Sequence, residues 1–191
     1  MLLVLVGLPG SGKTTVGRQL ARRLHLSFVD SDHAIEQRLG CTIREYFERE
    51  GEDRFRDLES EVLADLCQNH QGVLSTGGGS VLRPINRECL REHAHVFYLR
   101  SSPEEVFRRL RNDQNRPLLQ VADPQARLRE LFDVRDPLYR ETAHYVIETG
   151  RPNVAGLVNM IVSQLELAGH ITPTAPPSPA GRPRVSPPHR I

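Results

Sequence analysis

Five apolar residues, Leu2 to Val6, stand near the start of the chain, and Gly7 ends the run. An unbroken apolar run of that length predicts a strand buried on both faces. After a glycine-rich turn, Val16, Leu20 and Leu24 recur at fourfold spacing within Thr14–Leu24, the stripe of an amphipathic helix. The two patterns then alternate. Short apolar runs at Ser27–Val29, Val73–Ser75, Val96–Leu99 and Tyr145–Ile147 predict further strands. Helical spacing covers His33–Leu39, Ile43–Cys67, Ile85–Glu92, Glu104–Leu110, Pro124–Tyr139 and Val154–Leu167, and Pro103 suits a first helical turn. Strand alternating with helix predicts an α/β fold, a parallel sheet covered by helices on both faces. Arg111 to Asp123 is polar and without period, and reads as a mobile loop.

Composition narrows the classes of function. The chain has 191 residues, 38% apolar and 26% charged, enough for one domain with its own core. Its 25 basic and 24 acidic residues leave a charge of +1, so no overall field recruits nucleic acid or a membrane surface. Met1 to Val6 is too short to span a bilayer and lacks the charged leader of a signal peptide. Cys41, Cys67 and Cys89 are odd in number and free of C-x-x-C spacing, which argues against a disulfide scaffold or zinc cluster. A cytoplasmic location is expected. Residues 171–191 hold 7 of the 14 prolines, three arginines and no acid, and are expected to form a disordered tail. The remaining residues, 1–170, are expected to form a single domain.

Of the 25 basic residues only Lys13 is a lysine. It falls in Gly7-Leu8-Pro9-Gly10-Ser11-Gly12-Lys13-Thr14, which fits G-x-x-x-x-G-K-[ST] between a predicted strand and a predicted helix. In such a loop glycines let backbone N–H groups turn inward onto phosphate oxygens. The helix adds its positive N-terminal end. Lys13 then reaches the β- and γ-phosphates, and the Thr14 hydroxyl ligates Mg²⁺.

Other clusters address a second substrate. Asp30 and Asp32 flank Ser31 at the end of the second strand, where open α/β sheets carry ligands. One could hold Mg²⁺ through water and the other accept a proton, although an N-cap for the next helix explains one of them equally well. Arg56 and Glu59 share a helical face, either as a surface ion pair or as an anion anchor held in pose. Gly77-Gly78-Gly79 follows a buried strand and has no packing value of its own. It would let a ligand approach backbone N–H groups. Arg116, within the presumed loop, could swing over phosphates, and Arg135 could supply a second fork for a carboxylate.

Taken together, from about Leu2 to Leu167, these motifs resemble the shikimate kinase family. The resemblance rests on the order of the glycine loop, Asp-Ser-Asp, Gly51-Glu52 with Phe55-Arg56 and Glu59, the triple glycine, Arg116-Pro117-Leu118-Leu119, and Arg135-Asp136-Pro137-Leu138-Tyr139. It implies a P-loop kinase with a five-stranded parallel sheet, a helical substrate-binding region near 31–60 and a lid near 111–123. It implies transfer of the γ-phosphoryl group of ATP to the 3-hydroxyl of shikimate. By motif, Gly10, Ser11, Gly12, Lys13, Thr14 and Thr15 would wrap the phosphates, and Arg116 would close on them. Arg109 would stack on adenine, with Pro152 nearby, although Gly150-Arg151-Pro152-Asn153 departs from the family's usual pattern. Lys13, Asp32 and Arg116 would be catalytic. Asp32, Arg56, Gly78, Gly79 and Arg135 would bind shikimate. Thr14 would hold Mg²⁺ directly, Asp30 and Ser75 through water. Expected partners are ATP and shikimate, without nucleic acid or membrane, and a monomer is expected. The rivals are another small-molecule kinase of this fold, such as a gluconate kinase, and a nucleotide-binding module without catalysis.

Overall fold

The structure, a computed structural model, describes residues 1–111, 121–150 and 153–173. Five strands, β1 (Leu2–Val6), β2 (Phe28–Asp30), β3 (Gly72–Ser75), β4 (His95–Arg100) and β5 (Tyr145–Glu148), pair in parallel in the order β2-β3-β1-β4-β5. Side chains alternate across β1. Leu3 and Leu5 pack with Val16 and Leu20 of α1 (Lys13–Leu24) and with Ile161 and Leu165 of α8 (Val154–Leu167). Leu2, Val4 and Val6 face the other way. There they meet Leu63 of α4 (Glu52–Asn69), Leu90 of α5 (Pro84–His93), Val106 of α6 (Pro103–Leu110) and Leu128 of α7 (Pro124–Thr142). Burial on both faces is what the unbroken apolar run required.

The expected single stretch Ile43–Cys67 is two helices, α3 (Ile43–Glu50) and α4. Gly51 divides them with φ 84° and ψ 175°, a region almost closed to residues with a Cβ. Thr42 and Glu45 form a capping box that starts α3. With α2 (Ser31–Leu39), these helices enclose a separate small core around Ile35, Phe55 and Val62. That is the helical region expected near residues 31–60.

The chain fills one side of β1 with β2 and β3, then crosses to β4 and β5, so ligand-bearing turns gather at the C-terminal strand ends. The glycine loop follows β1, Asp30-Ser31-Asp32 closes β2, and the triple glycine follows β3. Most of the expected lid, including Arg116, lies outside the described residues, as do Pro152 and residues 174–191. Ile171, counted in the tail on composition, packs half-buried against the α1/α8 side of the core.

Candidate active site

The loop between β1 and α1 is shaped by Gly10 and Gly12, with φ of 81° and 94°. A side chain on Gly12 would meet nothing within 4 Å, so its left-handed backbone, and not crowding, calls for glycine. Gly10 is also crowded, by Leu110 at 2.6 Å from a would-be Cβ. No side chain caps α1. The amides of Gly12, Thr14 and Thr15 have no partner among the described residues, which leaves them for an anion. Ser11 differs from expectation: its N–H donates to Leu8 O at 3.1 Å, inside the turn. Its hydroxyl is buried without a hydrogen-bond partner. The Lys13 ammonium, also buried, donates to the carbonyls of Gly7 at 2.9 Å and Leu8 at 2.8 Å.

Asp30 satisfies both readings of its position. Oδ1 caps α2 by accepting from Asp32 N at 3.1 Å, while Oδ2 accepts from the Thr14 hydroxyl at 2.9 Å. Thr14 Oγ1 also lies 3.4 Å from Ser75 Oγ, so three oxygen side chains from β1–α1, β2 and β3 meet at one corner. One carboxylate with two hydroxyls beside a phosphate cradle suits Mg²⁺, a hard ion that keeps several waters.

Asp32 is two residues further on, in the first turn of α2. Its pKa is raised to about 6, first by burial, then by Asp30 and Glu59, with Lys13 pulling the other way. Behind it, Arg56 Nη1 donates to Glu59 Oε2 at 2.7 Å, and Glu59 is almost wholly buried. Glu59 Oε1 also accepts from Ser80 Oγ at 3.2 Å. The surface ion pair allowed by sequence is therefore an interior one. Arg56 Nε is buried and unpartnered, so the guanidinium retains a donor.

The glycine run corrects one expectation, that these residues have no packing value. A Cβ on Gly77 would stand 2.5 Å from Asp32 Oδ1, one on Gly78 2.6 Å from Pro9 Cδ, and one on Gly79 2.5 Å from Arg56 Nη1. Each glycine is the ground on which a different functional group rests. Their amides are still available: those of Gly78 and Gly79 have no partner among the described residues, while Gly77 N donates to Ser31 Oγ at 3.0 Å.

Arg135 approaches from α7 and lies beside the Tyr139 phenol, which donates to Gly78 O at 2.6 Å. Arg56 from α4 thus rests on the glycine run, and Arg135 from α7 stands one side chain away from it, beside the phenol bonded to Gly78. Asp136 anchors this part of α7, accepting from Tyr98 Oη at 2.8 Å, Arg100 Nε at 3.1 Å and Arg140 Nε at 2.8 Å. Tyr139 and Asp136 were not singled out from sequence for any role. The four-residue step from Arg135 to Tyr139 was the available signal, because it puts both on one helical face. Arg109 clamps Ser11 O at 3.2 Å, Ser101 Oγ at 3.1 Å and Thr149 O at 3.0 Å. It ties the glycine loop to the ends of β4 and β5.

A cavity of about 490 Å³ has Gly12, Lys13 and Thr14 on one wall and Asp32, Gly77 and Gly78 on another, while Arg56, Gly79 and Arg135 stand behind this lining. A phosphate cradle that shares one cavity with a carboxylate of raised pKa, on this sheet order, defines a P-loop phosphotransferase. The family model described as shikimate kinase matches residues 9–166. A shikimate kinase of Paracidovorax citrulli is 61% identical over 178 residues, which cover 92% of this chain and 95% of the relative. A solved shikimate kinase of Acinetobacter baumannii, in complex with shikimate, superposes with a TM-score of 0.82 at 47% identity, covering 90% of this chain and 95% of the other. A gluconokinase structure from Sinorhizobium meliloti reaches only 0.57 at 15% identity, covering 88% of this chain and 93% of the other, and shares the fold alone. The chain belongs to the shikimate kinase family.

Proposed function

We propose that the protein transfers the γ-phosphoryl group of ATP to the 3-hydroxyl of shikimate, giving shikimate 3-phosphate and ADP on the route to chorismate and the aromatic amino acids. The observation that carries this reading is the Asp32 carboxylate on the wall of the same cavity as Lys13 and Thr14 of the phosphate cradle. The amides of Gly10 to Thr15 with Lys13 hold the triphosphate, the Ser11 amide once released from its turn. Arg109, beside the glycine loop, would flank adenine, and by motif alone Pro152 and Arg116, outside the described residues, are assigned to adenine and the phosphates. Arg56, Arg135 and the amides of Gly78 and Gly79 hold the shikimate carboxylate, which fixes the ring so that its 3-hydroxyl faces Asp32.

Asp32 accepts the hydroxyl proton as the oxygen attacks the γ-phosphorus and the bond to the bridging oxygen of ADP breaks. The proton then leaves from Asp32 to solvent. Lys13 and Arg116 meet the negative charge on the group in flight. Thr14, with Asp30 and Ser75 through water, would hold Mg²⁺, which when bound neutralises phosphate charge. A monomer in the cytoplasm suffices, since all these groups come from one chain. In keeping with this, no described helix is long and apolar enough to cross a membrane.

An acceptor panel tests the function. With ATP present, phosphorus NMR should show one new phosphomonoester with shikimate and none with gluconate. A phosphorylated gluconate with shikimate untouched would overturn the reading.

A further inference from the structure

The peptide joining Gly78 to Gly79 has no side chain on either flank, so little in the chain itself prevents it from turning over. Its two orientations differ chemically, since one offers a donor to the acceptor side of the cavity and the other a carbonyl. In the structure the Gly78 carbonyl accepts from Tyr139 Oη at 2.6 Å. Tyr139 is fully buried on α7, with its ring against Tyr98 at a centroid separation of 5.0 Å, so the hydroxyl cannot follow a moving peptide. The Gly79 N–H belongs to this same peptide unit and has no partner among the described residues. A hydrogen bond accepted at the carbonyl strengthens the donor at the other end of the amide. Arg135 lies beside the same phenol, and the Arg56 guanidinium rests directly on Gly79.

We propose that Tyr139 is a positioning residue. It locks the Gly78–Gly79 peptide with its N–H toward the acceptor carboxylate, and so sets the preference for an anionic acceptor. The inference rests on the reading that the glycine amides and both arginines face that carboxylate. The phenol remains a donor across the working range, because burial pushes it up to about 12 against the pull of Arg135.

Tyr139→Phe tests it in the full chain. Losing one hydrogen bond should raise KM for shikimate about fivefold, with kcat and KM for ATP nearly unchanged. The loss should disappear for an analogue whose carboxylate is reduced to a hydroxymethyl group, so the ratio of kcat/KM between acid and alcohol falls about fivefold. Tyr98→Phe removes a neighbouring hydroxyl that donates to Asp136 at 2.8 Å, and should leave that ratio unchanged. An unaltered ratio in Tyr139→Phe, or an equal loss on both acceptors, would overturn the inference. A measurement on the unmutated protein covers the case in which the variant does not fold. The Gly79 amide resonance should move on adding shikimate and stay still with the alcohol, and an amide that ignores shikimate would also overturn it. If the unmutated enzyme releases no ADP with shikimate, both the function and the inference fall. If it does and the Tyr139→Phe ratio holds, only the inference falls.

Discussion

Asp32 is held where a charged carboxylate is disfavoured, by burial of most of its surface and by Asp30 and Glu59 nearby. The folded protein therefore binds its proton more tightly than the unfolded chain does. Stability from this group is fully present below the ordinary carboxylate value and is lost as pH rises toward about 6. At neutral pH the strain is complete, and Asp32→Asn should raise stability by roughly 1–3 kcal/mol in urea unfolding while abolishing turnover. The same position sets an acid limb. Since the base must be ionised, kcat/KM should fall below an inflection near pH 6, where an unperturbed aspartate would give one near 4. An inflection near 4, or an Asp32→Asn protein that is less stable, would count against Asp32 as a strained base. The pair Asp30 and Asp32 was legible in the sequence; which one would cap the helix was not. Asp30 caps α2 and also accepts from Thr14, and only the meeting of β1–α1 with β2 makes the second contact visible. Taken alone, Arg56 and Glu59 read as a surface pair, because periodicity gives a helix face but not what covers it.

At the scale of elements, Gly51 decides where the substrate region bends. Apolar spacing runs through it, so pattern alone predicted one long helix; the break comes from a backbone conformation that only glycine adopts readily. Gly51→Ala meets no neighbour within 4 Å, so its cost is conformational. It should destabilise the fold by about 1–3 kcal/mol and weaken shikimate binding more than ATP binding, because α4 carries Arg56. A variant of unchanged stability would contradict the assignment of the bend to residue 51. Strand edges and the last helix were readable within a residue or two, since burial on both faces and fourfold spacing act locally. The packing role of the triple glycine was not, because Asp32, Pro9 and Arg56 reach it from three separate segments.

Across the whole molecule, the strand order gathers three turns from β1, β2 and β3 at one edge of the sheet, and α7 supplies Arg135 from beyond β4. We propose that the residues up to 173 form the complete kinase unit. His170 packs against His95 with ring centroids 3.8 Å apart and planes tilted by 37°, and Ile171 joins the core, which places the proposed boundary a few residues later than the change in composition suggests. Removing residues 174–191 should leave both KM values and kcat unchanged, whereas cutting after Gly169 should lower the melting temperature. A large loss of activity on the shorter cut at 174 would refute that boundary. We propose one arrangement, in which a triphosphate held at Lys13 meets an organic acid held at Arg56 across the Asp32 carboxylate. Its most direct test is steady-state ADP release with shikimate as the sole acceptor, for the unmutated chain and for Arg56→Ala. Release should depend on shikimate, with Arg56→Ala raising KM for shikimate by at least tenfold, about 1.4 kcal/mol, and leaving KM for ATP nearly unchanged. Release that ignores shikimate, or an equal rise in both KM values, would contradict it.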